Sequence, residues 1–287
     1  MSLPPVEIPL GAMRFNSDSQ KLEYWNGSIW LQIHTFSPNL DGGARGVFNS
    51  GRTASASDKN NIDFITISTA GNAIDFGDSI QSTESNNTSC VSSKTRGLYA
   101  GGYKHPTGHH NQIGFITISS TGNSTDFGDL TQSRRAIAGV SNATRGCFCG
   151  GLSPTPRDTV DYVTIATTAN AVDFGNLTLA RRIPAAASSP TRSLIAGGLT
   201  PTSQNVIDFV EIATKGNAQD FGDLTEISTF GEPASDSIRG VRMGGVTPLD
   251  TSCDYINIAT RGNAVFFGSL LSTHKEGAGM SNAHGGV

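Results

Sequence analysis

Residues 96–128 read RGLYAGGYKHPTGHHNQIGFITISSTGNSTDFG. This stretch holds three markers in order: an Arg-Gly pair running into a glycine doublet, an apolar run around an aromatic, and Asp-Phe-Gly. The same markers return along the chain at intervals of 46 to 51 residues, which indicates a repeat architecture. The last marker occurs as Asp75-Phe76-Gly77, Asp126-Phe127-Gly128, Asp173-Phe174-Gly175, Asp220-Phe221-Gly222 and, in altered form, Phe266-Phe267-Gly268.

Each repeat contains four short runs with the composition of β-strands. The runs are separated by polar stretches or by Gly-Asn pairs, which suit tight hairpin turns. In IDFITI at residues 62–67, both alternating faces are apolar, so the strand is expected to be buried on both sides. Four antiparallel strands per repeat and five repeats predict an all-β fold, a five-bladed β-propeller spanning residues 42–287.

The two ends of the repeat region are out of phase with one another. The region begins with the run GGARGVFNSG at Gly42 and ends with GAGMSNAHGGV at Gly277. The ending matches AGVSNATRG at Ala138, the fourth run of an internal repeat. The sequence therefore predicts a ring closed by the terminal strands, which would leave no sheet edge exposed.

The repeats resemble kelch repeats in their glycine doublet, their aromatic residue and the arginines that follow it. Those arginines are Arg134-Arg135 and Arg181-Arg182, and the resemblance covers roughly residues 42–287. The aromatic is phenylalanine where kelch repeats usually have tryptophan, and the first and last copies diverge. The resemblance implies four-stranded kelch-like blades.

Composition excludes several classes of function. The net charge is −4 and no basic stripe is present, so we expect no nucleic-acid groove. No apolar run approaches the length of a membrane helix, and no standard secretion signal is visible. The cysteines lack the spacing of a zinc site and are predicted to be small reduced core residues, so we expect no metal and no cofactor. They are Cys90, Cys147, Cys149 and Cys253.

Residues 1–35 lie outside the repeats and contain both tryptophans of the chain. Their pattern predicts a β-meander with turns at Ser17-Asp18-Ser19 and Asn26-Gly27, followed by a linker at 36–41. A segment this short cannot bury enough surface alone, so it must pack on the propeller, on copies of itself or on another protein. The predicted docking residues are Phe15, Tyr24, Trp25 and Trp30.

The run KLEYWNGSIW at residues 21–30 is similar to a hairpin near the N-terminus of bacteriophage tail and fibre proteins. The resemblance implies a virion structural protein, a tail, fibre or decoration component assembled in the host cytoplasm. Other virion proteins would be its partners, and the propeller would serve adhesion or protein interaction. A host-surface glycan or protein and a second copy of the chain stay open as further partners.

Catalysis was weighed at the aspartates that recur within the apolar run. A five-bladed glycosidase would need two carboxyl groups in unlike environments, whereas these occupy equivalent repeat positions. We therefore expect a structural role for them and no enzyme activity. A pairing with the arginines of the first marker is the corresponding hypothesis. The aspartates are Asp63, Asp161, Asp208 and Asp254, and the arginines are Arg45, Arg145, Arg192 and Arg239.

One loop differs most from its equivalents, and function on repeat scaffolds tends to lie in such loops. It follows the glycine doublet of the second repeat, and the loop PTPRDT at Pro154 is predicted to be its neighbour. A glycan-binding, lectin-like propeller is the main alternative function, and a glycosidase is the other. The candidate ligand-binding residues are Tyr103, Lys104, His105, His109 and His110.

Overall fold

A computed structural model confirms the all-β class. Strands account for the regular structure, and no helix occurs among the residues that the structure describes. The chain divides into two compact units, Met1–Leu40 and Asp41–Val287. The structure describes residues 8–16, 21–32, 45–52, 58–67, 69–83, 89–229, 231–246 and 249–273.

The first unit contains an antiparallel three-stranded sheet of order β1-β2-β3. The β2–β3 turn is closed by Asn26, whose side-chain oxygen accepts hydrogen bonds from the backbone N–H groups of Ser28 and Ile29. The predicted turn at 17–19 and the linker at 36–41 lie outside the described residues. The strands are β1 (Met13–Asn16), β2 (Lys21–Trp25) and β3 (Trp30–Gln32).

The second unit contains a series of antiparallel sheets, which we number repeat sheets 1 to 5 in chain order. Sheet 1 is β4 (Arg45–Arg52), β5 (Asp58–Thr66) and β6 (Ile74–Thr83). Sheet 2 is β7 (Ser89–Ser92), β8 (Arg96–Ala100), β11 (Gln112–Thr117) and β12 (Thr125–Asp129), with the hairpin β9 (Tyr103–Lys104) and β10 (Gly108–His109) inserted after β8. Sheet 3 is β13 (Ala138–Ser141), β14 (Arg145–Cys149), β15 (Thr159–Thr164) and β16 (Val172–Asn176). Sheet 4 is β17 (Ala185–Ser188), β18 (Arg192–Ala196), β19 (Leu199–Thr200), β20 (Thr202–Glu211) and β21 (Gln219–Ser228). Sheet 5 is β22 (Glu232–Ser235), β23 (Arg239–Val246), β24 (Leu249–Asn257) and β25 (Val265–Ser269).

The repeats and the sheets are offset by one strand. The run at 138–141, assigned from sequence to the second repeat as its fourth strand, pairs with Arg145–Cys149 and is the first strand of sheet 3. The sequence assignment was therefore wrong for this strand. Sheet 1 has three strands among the described residues, and the run at 277–287 that matches a first strand lies outside them.

Neighbouring sheets share apolar clusters, one at each junction from sheet 1 to sheet 5. At the junction of sheets 2 and 3, Phe127 of the Asp-Phe-Gly marker belongs to one cluster with Val163 and Ile165. Burial of a phenylalanine contributes about 1.5–3 kcal/mol, so these clusters stabilise the contacts between sheets. The equivalent sets are Phe76 with Ile116, Phe174 with Val210 and Ile212, and Phe221 with Ile256 and Ile258.

The glycine of the Asp-Phe-Gly marker lies where the next sheet's turn packs. Gly77 has φ +143°, and a Cβ atom there would lie 2.5 Å from the carbonyl oxygen of Gly122 in sheet 2. The side chain of Asn123 in that turn accepts a hydrogen bond from the backbone N–H of Asp78. The marker and the Gly-Asn turn are therefore two sides of one contact between sheets.

Sheet 1 and sheet 5, the first and last of the series, each have apolar side chains that are exposed in the described structure. Phe267 of sheet 5 is 58% exposed, whereas its four counterparts in sheets 1 to 4 are 2–3% exposed. On sheet 1, Ile65 and Ile67 are exposed, whereas the equivalent Val163 and Ile165 of sheet 3 are buried. Sheet 5 thus exposes the phenylalanine, and sheet 1 the aliphatic side chains, that pack together at each internal junction.

Candidate functional site

The first unit has one entirely apolar sheet face, which we call the apolar face. Met13 lies opposite Tyr24, and Phe15 lies opposite Leu22, while Leu31 continues the Met13–Tyr24 row on β3. Side chains two residues apart on a strand share a face, so these five lie together. Met13, Phe15, Leu22 and Tyr24 are between 38% and 65% exposed.

The side chains on the opposite face of this sheet contact one another. The rings of Trp25 and Trp30 lie 5.5 Å apart, and the Arg14 guanidinium lies 4.2 Å from the Trp30 ring centroid. Glu23 is buried here and accepts hydrogen bonds from Asn16 (3.0 Å) and Arg14 (2.9 Å). These bonds hold the pKa of Glu23 below its ordinary value, which keeps the carboxylate ionised.

The four predicted docking residues therefore fall on two different faces. Phe15 and Tyr24 lie on the apolar face, whereas Trp25 and Trp30 are half-buried in the contacts of the other face. The four predicted docking residues do not include Met13, Leu22 and Leu31, which share the apolar face with Phe15 and Tyr24. The alternation of apolar residues along MRFN and KLEYW was the signal that could have found them.

The predicted ligand loop forms the hairpin β9–β10, with His105 in its turn. Tyr103 pairs with His109, and their rings meet edge to face at 5.4 Å. Arg135, which sequence reasoning did not place in the site, lies with its guanidinium 4.7 Å from the Tyr103 ring centroid. Its backbone bonds to Leu152, so Arg135 connects this hairpin to the loop of sheet 3 that contains Pro154.

Burial and neighbouring positive charges favour the neutral form of the two histidines at the end of the hairpin. Their Nε2 atoms are buried and make no hydrogen bond. Burial lowers the pKa of His109, and the charges of Arg135 and His110 lower it further. Burial and the charge of Lys104 likewise lower the pKa of His110. The hairpin thus offers an aromatic ring, a guanidinium and neutral imidazoles at one place.

Three of the four recurring aspartates lie in buried ion pairs, whereas Asp63 is partly exposed and accepts a hydrogen bond from Asn61 at 2.9 Å. Asp161 is fully buried, and its Oδ2 atom lies 3.0 Å from Nη2 of Arg134, which is also fully buried. Thr131 donates to the same carboxylate through its hydroxyl (2.6 Å) and its backbone N–H (3.2 Å). Asp208 has the same arrangement with Arg181 and Thr178. A carboxylate enclosed in this way cannot meet a substrate.

At the junction of sheets 4 and 5, the buried aspartate pairs with an arginine from a different position in the repeat. Ser228 occupies the position of Arg134 and Arg181, and the guanidinium comes instead from Arg242 on β23. Nη2 of Arg242 donates to Asp254 at 2.7 Å, and its Nη1 donates to the Ser228 hydroxyl at 3.4 Å. The carboxylate is neutralised, although the arginine has moved from the connection onto a strand.

At the junction of sheets 1 and 2, a neutral hydroxyl takes the place of the aspartate carboxylate. Gly114 replaces the aspartate, and a Cβ atom there would lie 2.3 Å from the Tyr99 hydroxyl. That hydroxyl accepts a hydrogen bond from the backbone N–H of Ile80, as the aspartate does from Thr131 in the next junction. It also bonds with Ser124 at 2.6 Å. The tyrosine hydroxyl thus occupies the place of the missing carboxylate.

The hypothesis that the arginines of the first marker pair with these aspartates was wrong. Arg145 lies with its guanidinium 4.5 Å from the Tyr162 ring centroid, and its Nη1 donates to the carbonyl of Ile212 in the next sheet at 2.6 Å. This arginine therefore ties two sheets together through an aromatic ring and a backbone carbonyl. Equivalent ring contacts are Arg45 with Phe64, Arg96 with Phe115, Arg192 with Phe209 and Arg239 with Tyr255.

All four cysteines are free thiols, but not all lie in the core. Cys147, Cys149 and Cys253 are buried, whereas Cys90 is exposed, which corrects the prediction for that residue. Burial raises the pKa of Cys147 to about 12. Across the described ranges, no group of three or more His, Cys, Asp or Glu side chains could hold a metal ion. No helix in that part of the chain is long and apolar enough to span a membrane.

Comparison with protein-family models finds none that matches this chain. A search of curated proteins also finds no match.

Proposed function

We propose that this chain is a non-enzymatic structural protein of a bacteriophage virion, in which the first unit attaches to another virion protein. The second unit would then serve adhesion or protein interaction. The exposed apolar face of the first unit carries the proposal, supported by the similarity of residues 21–30 to hairpins of tail and fibre proteins. Attachment as a tail, fibre or decoration component would follow assembly in the host cytoplasm.

The physical argument is that only one side of the small sheet still needs a partner. A sheet of three short strands buries little apolar surface by itself, so packing its exposed apolar face against a partner would stabilise it. Arg14, Glu23 and the tryptophans satisfy the other face. The apolar face has no charged residue, so an uncharged surface on the partner protein would fit it.

The decisive experiment is incorporation into particles. In phage that lack the wild-type copy, Phe15→Ser combined with Leu22→Ser is expected to reduce incorporation at least about tenfold, because both changes remove apolar area from the contact and place a hydroxyl there. Ile29→Ser, which changes an exposed apolar residue in the β2–β3 turn, is the matched control and should incorporate normally. Normal incorporation of the double variant, or absence of the wild-type protein from particles, would overturn the proposal.

We also propose that the five repeat sheets form a closed five-bladed β-propeller with kelch-like blades. The uncovered faces of sheets 1 and 5 support closure, because they are the complementary halves of the internal junctions. The run at 277–287 has the sequence of the strand that sheet 1 lacks among the described residues. Joining these faces would cover apolar surface at both ends of the series.

Ring closure makes a stability prediction at Phe267. In a closed ring Phe267→Ala should lower the free energy of unfolding by about 3–5 kcal/mol, as is expected for Phe174→Ala at a buried internal position. Denaturant unfolding at two protein concentrations would measure both. An open series predicts a small effect at Phe267 alone. A loss that grows on dilution would instead indicate that two copies cover each other's ends.

Three of the four candidate aspartates argue against the enzyme alternative, while Asp63 is partly exposed and accepts a hydrogen bond from Asn61. Asp161, Asp208 and Asp254 are held in buried ion pairs, so they do not supply the exposed acid and base that glycoside hydrolysis needs. The glycan-binding alternative does not depend on those carboxylates, and one feature of sheets 4 and 5 favours it.

A further inference from the structure

A cavity of about 360 Å³ lies at the junction of sheets 4 and 5. Its size is within the range of small-molecule sites. One wall comes from the end of β21, and the other comes from β24 and β25. The lining residues are Thr225, Glu226, Leu249, Asp250, Ser252 and Phe266.

The cavity is built from residues that depart from the repeat. Phe266 replaces the aspartate of the Asp-Phe-Gly marker and is 58% exposed, whereas its neighbour Phe267 is the marker's own aromatic. Glu226 stands where the preceding junctions have Gln132 and Leu179. Asp250, four residues before Asp254, stands where sheets 3 and 4 have an arginine and a glutamine. The other junctions form with different residues at these positions, so the residues found here are candidates for a function of this junction alone.

The polar wall of the cavity is held in place by the buried network beneath it. The Asp250 carboxylate accepts hydrogen bonds from the backbone N–H and the hydroxyl of Ser252. The Ser252 hydroxyl in turn accepts from Arg242 at 2.9 Å. Partial burial opposes ionisation of Asp250, but the hydrogen bonds from Ser252 and Thr251 and the charge of Arg242 together hold its pKa below the ordinary value. Asp250 is therefore an oriented, ionised acceptor.

We propose that this cavity binds a neutral saccharide, with one face of the sugar ring stacked on Phe266 and its hydroxyls donating to Asp250 and Glu226. The C–H groups on a sugar face carry partial positive charge, and the face of an aromatic ring is negative. Carboxylate oxygens form strong charge-assisted bonds with hydroxyl donors. The two carboxylates also disfavour acidic sugars by repulsion.

This inference rests on the proposed binding role of the second unit, but not on attachment of the first unit to a particle. A resident metal ion is not needed, because the aromatic ring and the acceptors already provide both kinds of sugar contact. Leu249 is exposed and lines the same cavity, so it adds apolar surface to the site. The site therefore combines apolar surface with carboxylate acceptors.

Saturation-transfer NMR on the full-length protein tests the proposal with glucose, galactose, mannose and N-acetylglucosamine as probes. At least one of these sugars should bind the wild-type protein. Phe266→Asp should weaken that binding at least about tenfold, because it removes the platform. The change restores the residue found in the other four repeats, so the unfolding transition should stay unchanged. Asp250→Asn should also weaken binding.

Asp173→Asn, at the position on sheet 3 equivalent to Phe266, is the matched control and should bind the sugar as the wild type does. Absence of binding by all four sugars, or equal binding by the Phe266→Asp protein, would overturn the proposal. Binding of calcium alone, without any sugar, would overturn it as well. Particle incorporation separates the two proposals, since Phe266→Asp should incorporate normally while Phe15→Ser with Leu22→Ser should still bind sugar.

Discussion

Asp161→Asn is expected to lower the free energy of unfolding by about 3–5 kcal/mol, since it leaves the Arg134 guanidinium buried without its counter-charge. Burial lowers the pKa of Arg134, and the Asp161 carboxylate acts in the opposite direction. Thr131 would also lose a charged acceptor. Denaturant titration of the wild-type and variant proteins measures the difference.

A double-mutant cycle shows whether the pair acts as one unit. Arg134→Met should be as costly as Asp161→Asn, but the double variant should lose much less than the sum of the two, because no unpaired charge is left buried. Glu211→Gln is the matched control. It breaks the exposed pair with Arg192 and should cost less than about 1 kcal/mol. If Asp161→Asn cost no more than this control, or the two losses simply added, the interpretation would be wrong.

Arg242→Ile is expected to destabilise the junction of sheets 4 and 5 by a similar amount, about 3–5 kcal/mol, because Asp254 then lies buried without a cation. Adding Ser228→Arg should recover most of the loss. The double variant reproduces the set of the preceding junction, where Arg181 comes from the connection and Ile195 occupies the strand position. Unfolding free energies of the single and double variants measure this recovery.

Ser228→Arg alone provides the control for that recovery. With Arg242 still present it adds a second cation to one buried carboxylate, so it should destabilise the protein. A double variant no more stable than Arg242→Ile would show that the two arginine positions are not interchangeable. The same outcome would show that the junctions depend on side-chain shape more than on charge.

These junctions show why a repeat can vary and still fold. Each buried backbone group beside the carboxylate position needs an acceptor, and an acceptor with a full charge needs a cation. Sheets 3 and 4 meet both needs with an aspartate and an arginine from the preceding connection. Sheet 5 draws its arginine from a strand, and sheet 2 avoids the charge with Tyr99. The requirement is shared, while the residues that meet it differ.

Phe266 shows how departures from a repeat separate structure from function. A change that another residue in the junction compensates, such as Ser228 with Arg242, preserves packing. Phe266 has no compensating change in the described contacts and leaves a large apolar ring exposed beside two carboxylates. The altered fifth marker was visible in the sequence, but its meaning depended on which residues lie beside it.

Local sequence patterns were enough to predict the strands, their turns and the number of repeats. These follow from local physics, since alternation with period two marks a strand, and glycine and asparagine permit the turns. The structure bears this out for the described strands, including the turn at Asn26.

Which residues contact one another depended on how the sheets assemble. Arg134 rather than Arg145 pairs with Asp161, because the carboxylate faces the connection that leads in from the preceding sheet. Phe15 and Tyr24 share a face that excludes the tryptophans, because the register of the strands places Trp25 opposite Trp30 on the other side. Partners of this kind depend on the register and stacking of whole sheets, which short-range preferences do not specify.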